Sequence, residues 1–198
     1  MSDVKEWPYA PNTFDWWLES NSKTFRSEFT GSSQVARFPG SRFKCSMTFN
    51  SLDDERARIL EALITSLDGE FGRVRIKSYG RKGVKTGGAP VVAVADQTGL
   101  NLISKGWPPS SELLKVGQFI TVNDELKQLT ADLISDASGN AVIAFAPQLR
   151  YSPPVGSVIE TEHPTGIFKL SDNKQGKFKR QRKRGVRSSV TLDFEEAF

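Results

Sequence analysis

Alternation of apolar and polar residues with a period of two recurs along this chain, and it limits the possible folds more than any other feature. In Phe43-Lys-Cys-Ser-Met-Thr-Phe49, Phe43, Cys45, Met47 and Phe49 share one face and Lys44, Ser46 and Thr48 the other. Successive side chains of a strand point to opposite faces, so this is the pattern of a half-buried strand. Val74 and Ile76 alternate with Arg73, Arg75 and Lys77, and Val190, Leu192 and Phe194 alternate within 188–194. Between these lie short runs at 91–95, 118–122, 126–134, 141–146, 157–161 and 166–170. Turn chemistry separates them at Asn123-Asp124, at 136–140 and at Pro147, Pro153 and Pro154. Five or six strands in roughly 80 residues without a helix predict a small closed sheet, and an OB-like β-barrel is the natural size match.

One helix interrupts the pattern, and the spacing predicts it over 52–68. Ser51 reads as its N-cap, Asp53, Asp54 and Glu55 fill the first turn, and Gly69 follows its end. Ile59, Leu60, Leu63, Ile64 and Leu67 form its apolar stripe. The stretch 79–90 holds four glycines and a proline in twelve residues, which marks a linker or a crossing between domains; it does not match the glycine and lysine spacing of a phosphate-binding loop. The terminal strand at 188–194 needs a sheet to join. With a barrel closed near Leu170, that sheet must lie in the N-terminal half. The expected fold is therefore mainly β (α+β): a discontinuous β-sandwich-like unit, 1–84 plus 171–198, carrying the helix, and an inserted OB-fold-like barrel over 85–170.

Residues that carry chemistry are few. A single cysteine, Cys45, excludes an intrachain disulfide, and one histidine, His163, cannot build a His/Cys zinc cage of the usual spacings. Cys45 sits within apolar alternation and reads as a small buried hydrophobe. His163 precedes Pro164 in a turn. Glu195 and Glu196 lie beside each other on a terminal segment, where neighbours point to opposite faces rather than toward one reacting atom. No nucleophile elbow or Ser/His/Asp spacing occurs. The chain reads as no enzyme, with no cofactor and no metal. Its longest apolar runs, 90–95 and 141–147, fall far short of the roughly 20 residues that cross a bilayer, so no membrane partner is expected. The N-terminus lacks the basic and apolar regions of a secretory signal, which predicts synthesis in the cytosol.

The formal net charge is +4, but it is unevenly placed. Lys174, Lys177, Lys179, Arg180, Arg182, Lys183, Arg184 and Arg187 put eight positive charges and no acid into 174–187, leaving the remainder of the chain at −4. Such a block repels itself and is expected to be mobile until a partner orders it. Docking on an acidic protein surface, contact with nucleic-acid phosphates and simple solubility all remain open for it. A nucleic-acid-binding OB module also needs aromatic stacking platforms. Trp107, Phe119, Phe145, Tyr151 and Phe168 are the candidates, of which Phe119 and Phe145 lie within core-like alternation.

Several stretches together resemble a known family. They are 113–122 (LLKVGQFITV), Gln128-Leu-Thr-Ala-Asp132, Ser138-Gly-Asn-Ala-Val-Ile143, Pro147-Gln-Leu-Arg150 and Pro164-Thr-Gly-Ile-Phe-Lys-Leu170. To these the N-terminal part adds Trp7-Pro, Trp16, Phe25, Ser27, Phe29-Thr-Gly31 and Gly40, followed by a strand and one helix. This order is similar to that of the distal tail protein family of siphophages, whose long tails are non-contractile. The resemblance implies a structural virion component: a ring, commonly of six copies, that joins the tail tube to the tail tip or baseplate. It further implies self-association, contacts with the tail tube protein and tail-tip hub proteins, transient passage of DNA through the lumen, and assembly in the host cytoplasm. Trp7, Tyr9, Trp16, Trp17 and Phe29 are candidates for the ring interface, with core filling as their alternative role. The basic segment has no counterpart in the resemblance; within it, it becomes a candidate partner-docking arm.

Overall fold

The alternating runs pair into two main sheets. The structure, a computed structural model, describes residues 3–181 and 187–197. Strands β1 (Val4–Glu6), β2 (Thr13–Glu19), β3 (Ser22–Arg26), β4 (Ser33–Arg37) and β5 (Arg42–Leu52) precede the helix α1 (Asp54–Leu67), and β6 (Arg73–Lys77) follows it. The middle of the chain supplies β7 (Val91–Val92), β8 (Gly99–Lys105), β9 (Glu112–Leu114), β10 (Phe119–Val122) and β11 (Glu125–Leu129). It continues with β12 (Leu133–Ile134), β13 (Asn140–Leu149) and β14 (Ile159–Glu160); β15 (Thr165–Leu170), β16 (Lys179–Gln181) and β17 (Arg187–Glu196) come last. The protein is thus mainly β with one helix among the described residues.

The larger sheet runs in the order β1, β6, β15, β17, β5, β2, with β16 beside β17. Its central strand is the last in the chain: β17 lies antiparallel to β5 from Ser188 to Glu195 and to β15 from Phe194 to Glu196. Phe43, Cys45, Met47, Phe49, Leu192 and Phe194 are fully or almost fully buried, and they pack with Leu60, Ile64 and Leu67 of α1. The smaller sheet runs β14, β10, β11, β13, β8, β7. An antiparallel bridge between Val91 and Val158 joins its ends, with Val92 N donating to Ser157 O at 3.0 Å and Ile159 N to Pro90 O at 2.9 Å. The sheet therefore closes into a barrel around Leu102, Ile120, Val122, Ile143 and Phe145. Two outward side chains of that barrel, Phe119 and Leu126, belong to the core of the larger sheet.

Several expectations need correction. Residues 166–170, assigned to the barrel from the sequence, form β15, which pairs with β6 and β17 in the larger sheet. Phe168 and Leu170 bury there, and Gly166 lets the strand approach Leu126, whose Cβ would stand 3.0 Å from an added methyl. The helix starts later than expected because β5 runs on to buried Leu52, which pairs with Ser188. Asp53, not Ser51, is the N-cap, its Oδ1 accepting from Arg56 N at 2.8 Å. Ile59, placed on the apolar stripe, is exposed, and Ala57 takes the buried position. The run 126–134 breaks into β11 and β12, since Asp132 turns to accept from Val116 N at 2.8 Å. The glycine-rich stretch is not a free linker: Val84 N donates to Thr161 O at 2.8 Å, and a Cβ on Gly83 would lie 2.0 Å from Glu162 O.

Candidate interaction surfaces

The barrel and the larger sheet meet through buried charge. Glu196, at the end of β17, accepts from Phe43 N at 3.2 Å and from Arg150 Nη2 at 2.8 Å. The same Arg150 nitrogen donates to Ser41 O at 3.2 Å, while the Arg150 and Tyr151 amides donate to the Glu125 carboxylate at 3.2 and 3.3 Å. Lys127, with 0% of its surface exposed, donates to Glu125 Oε2 at 2.6 Å and to Gln148 O at 2.9 Å. Burial pushes the Lys127 ammonium below its ordinary value, against the opposing pull of Glu125. Thr121 Oγ1 donates to Thr165 O at 2.6 Å, which adds a tie between β10 and β15. Charged hydrogen bonds of this kind fix geometry more than they add net stability. The sequence reading missed this cluster, because Glu125 and Lys127 look like ordinary surface residues of a strand.

Glu195 points the other way, as adjacency on a strand requires. It pairs with Lys169 at 3.0 Å, Arg42 at 3.3 Å and Lys44 at 3.6 Å, while Lys44 reaches Glu19 at 2.8 Å and Lys169 reaches Glu70 at 2.8 Å. This row crosses β2, β5, β17 and β15 on the face opposite the core. Partial burial works to raise the Glu195 carboxyl, but its three cations outweigh that and hold it below its ordinary value. Cys45 is buried, and burial pushes its thiol well above the usual range.

The basic segment divides. Arg180 forms a two-pronged ion pair with Glu61 of α1, Phe178 packs against the core, and Gly176 lies against Ile64. Gln175 Oε1 accepts from Asp193 N at 3.0 Å, satisfying β17 where neither β15 nor β16 pairs with it. The part 174–181 of the block expected to be mobile is therefore held along the helix and the sheet. Lys174, Lys177, Lys179 and Arg187 are exposed. Arg182, Lys183 and Arg184 lie outside the described residues.

The candidate interface aromatics also divide. Trp7, Tyr9 and Trp16 pack on the core: Trp7 lies 5.2 Å from Phe194, Trp16 5.0 Å from Phe43, and Tyr9 O accepts from Tyr79 Oη. Trp17 is 42% exposed and Phe29 99% exposed. Of the five stacking candidates, only Tyr151 is exposed; Trp107, Phe119, Phe145 and Phe168 are buried, Phe168 in the larger sheet, and Trp107 Nε1 donates to Ser104 Oγ at 2.8 Å. His163 lies in the turn between β14 and β15, its N–H donating to Glu160 Oε1 at 2.8 Å.

Two further surfaces were not legible as sites. The larger sheet ends in β2, and no strand among the described residues pairs with the outer edge of β2. Between β2 and β5 the chain projects as the β3–β4 hairpin, whose strand residues are all exposed except Ala36. Among the described residues, no helix is long and apolar enough to cross a membrane, and no group of three or more His, Cys, Asp or Glu side chains gathers to hold a metal ion. No protein-family model matches the chain, and no curated protein matches it.

Proposed function

We propose that this protein is a structural subunit of a ring at the distal end of a long, non-contractile phage tail, joining the tail tube to the tip. The observation that carries the reading is a sheet left open at β2, together with an exposed hairpin between β2 and β5. Exposed strand edges invite pairing with another chain unless they are blocked, and a subunit of a closed assembly is the setting in which an open edge is useful. The resemblance in the order of motifs supplies the tail. In this reading the work is done by interfaces rather than by catalysis, and the exposed cations Lys174, Lys177, Lys179 and Arg187 face a neighbouring acidic surface. The competing reading, an OB module for nucleic acid, is weakened by the burial of four of its five stacking candidates.

Immuno-electron microscopy of parent phage particles, with antibody raised against this chain, tests the reading. Label confined to the distal end of the tail is the expected result. Label elsewhere, or none on intact particles, overturns it, and a steep salt dependence of single-strand binding by the purified protein would then favour the nucleic-acid module.

A further inference from the structure

Among the described residues, the β3–β4 hairpin pairs with no other strand. A two-stranded hairpin is marginal in water unless a third strand or a packed layer supports it. This one stands on a bend pinned by Asn21, which donates from N to Ser41 Oγ at 3.2 Å and from Nδ2 to Pro39 O at 2.6 Å. Beyond the bend, strands of five residues reach roughly 17 Å. They carry Phe25 at 50% exposure and Val35 at 64%, with Phe29 at the tip. Phe25 pairs across from Gln34 and Val35 from Thr24, so the two apolar side chains lie on opposite faces and no single face can fold back on the body. Phe25, Phe29 and Val35 are thus left to solvent on a hairpin that pairs with no other strand among the described residues.

The same chain carries a surface that suits it. Strand β2 is seven residues long, contains neither Pro nor Lys to guard its open edge, and bears exposed Asp15 and Glu19. The hairpin bears Lys23, Arg26 and Arg37 against the single acid Glu28. Among the described residues, neither Asp15 nor any of these three cations makes an ion pair, while Glu19 reaches Lys44 at 2.8 Å and stays about half exposed. Complementary charge, an unpaired strand edge and an unsupported hairpin thus occur on one molecule without satisfying each other. We propose that the β3–β4 hairpin of one chain docks along the open β2 edge of a second copy of this chain, adding backbone pairing to the sheet, with Phe25, Phe29 and Val35 as its apolar anchors and Lys23, Arg26 and Arg37 facing Asp15 and Glu19. Subunit contact rests on the ring reading only for the number of copies that close the assembly.

Analytical ultracentrifugation of the full chain across a dilution series tests it, with near-ultraviolet circular dichroism to confirm that each variant is folded. The wild type is expected to self-associate. Phe25→Ser/Phe29→Ser/Val35→Ser, which spoils the hairpin, and Asp15→Lys/Glu19→Lys, which spoils the edge, are each expected to sediment as monomers. Mixed in equal amounts they should form a dimer and nothing larger, through the one intact hairpin and the one intact edge. Adding Lys23→Glu/Arg26→Glu to the edge variant should restore assembly, which tests the contact without touching the apolar anchors. A monomeric wild type, a hairpin variant that assembles like the wild type, or no dimer on mixing overturns the proposal. Assembly that stops at a reciprocal dimer supports this contact and removes the ring reading; rings built by the hairpin variant do the reverse.

Discussion

Replacing Lys127 with Met probes the buried charge that ties the barrel to the sheet. The side chain is wholly buried, Met nearly matches its length, and the ammonium lies 5.9 Å from the Phe145 ring centroid, where a thioether also packs well. The loss is therefore electrostatic. Glu125 keeps only the Arg150 and Tyr151 amides at 3.2 and 3.3 Å and loses its 2.6 Å partner. Removing one member of a buried pair costs about 3–5 kcal/mol because the other charge is left stranded. At about 2–4 °C per kcal/mol for a chain of this size, the midpoint should fall by roughly 6–20 °C. Glu125→Gln on the same chain removes the stranded charge while still accepting from one amide, and should recover most of the loss. Urea unfolding reads this as a shift in midpoint at unchanged slope. The pH dependence supplies a second check. The folded state lowers the Lys127 value, so in the window between that value and the unfolded 10.5 the unfolded chain binds more protons and stability rises with pH. Lys127→Met should lose that rise. A single variant within about 1 kcal/mol of the wild type, or a double variant no more stable than the single, would refute the reasoning.

Gly83→Ala forces a methyl to within 2.0 Å of the Glu162 backbone carbonyl and should cost about 1–3 kcal/mol of stability in urea unfolding, whereas a true linker would tolerate it. The Cys45 thiol should not react with a disulfide reagent such as DTNB in the native protein and should react fully once the chain is unfolded, because it is buried and burial disfavours the thiolate. Glu195 is held below its ordinary 4.5, so it contributes stability that is present above that value and is lost as pH falls through its folded value. Glu195→Gln should flatten that acid limb of a stability profile, and an unchanged limb would show that the row of ion pairs is too well solvated to matter.

The strands legible in the sequence were those with one dry and one wet face. Phe43 to Phe49 and Val190 to Phe194 alternate because helix and barrel cover one side of their sheet and leave the other to solvent, and both were read with the right inward residues. Strand β8 was missed because its burial contradicts its polarity: Ser104 is buried, bonded to Ala141 O, while Ile103 is exposed. Strands β3 and β4 were missed for the opposite reason, since both of their faces are wet and no period survives. The buried cluster at Glu125, Lys127, Arg150 and Glu196 left no trace because residue type alone reports charge and not the layer that covers it. The basic segment misled in a related way: charge density predicted a free arm, whereas a single phenylalanine, Phe178, and one facing acid, Glu61, hold its first half in place.

The position of β17 explains why the ends of the chain and its middle act as one body. A sheet whose central strand is β17 cannot be completed until residues 187–196 are in place, since β15 and β5 face each other only across them. The barrel strands lie within 91–160 and close on themselves, so their contacts span shorter stretches of sequence and are available sooner. Phe119 and Leu126, however, point out of that barrel into the other core and have no cover until the larger sheet forms. The charged ties are completed in the same step, because Glu196 stands at the end of β17 and Arg150 comes from the barrel. Closing the sheet and locking the barrel to it therefore depend on the same strand. A chain ending before residue 187 would keep every barrel strand, yet it would lose the central strand, the anchor for Arg150 and the cover over two large apolar side chains together.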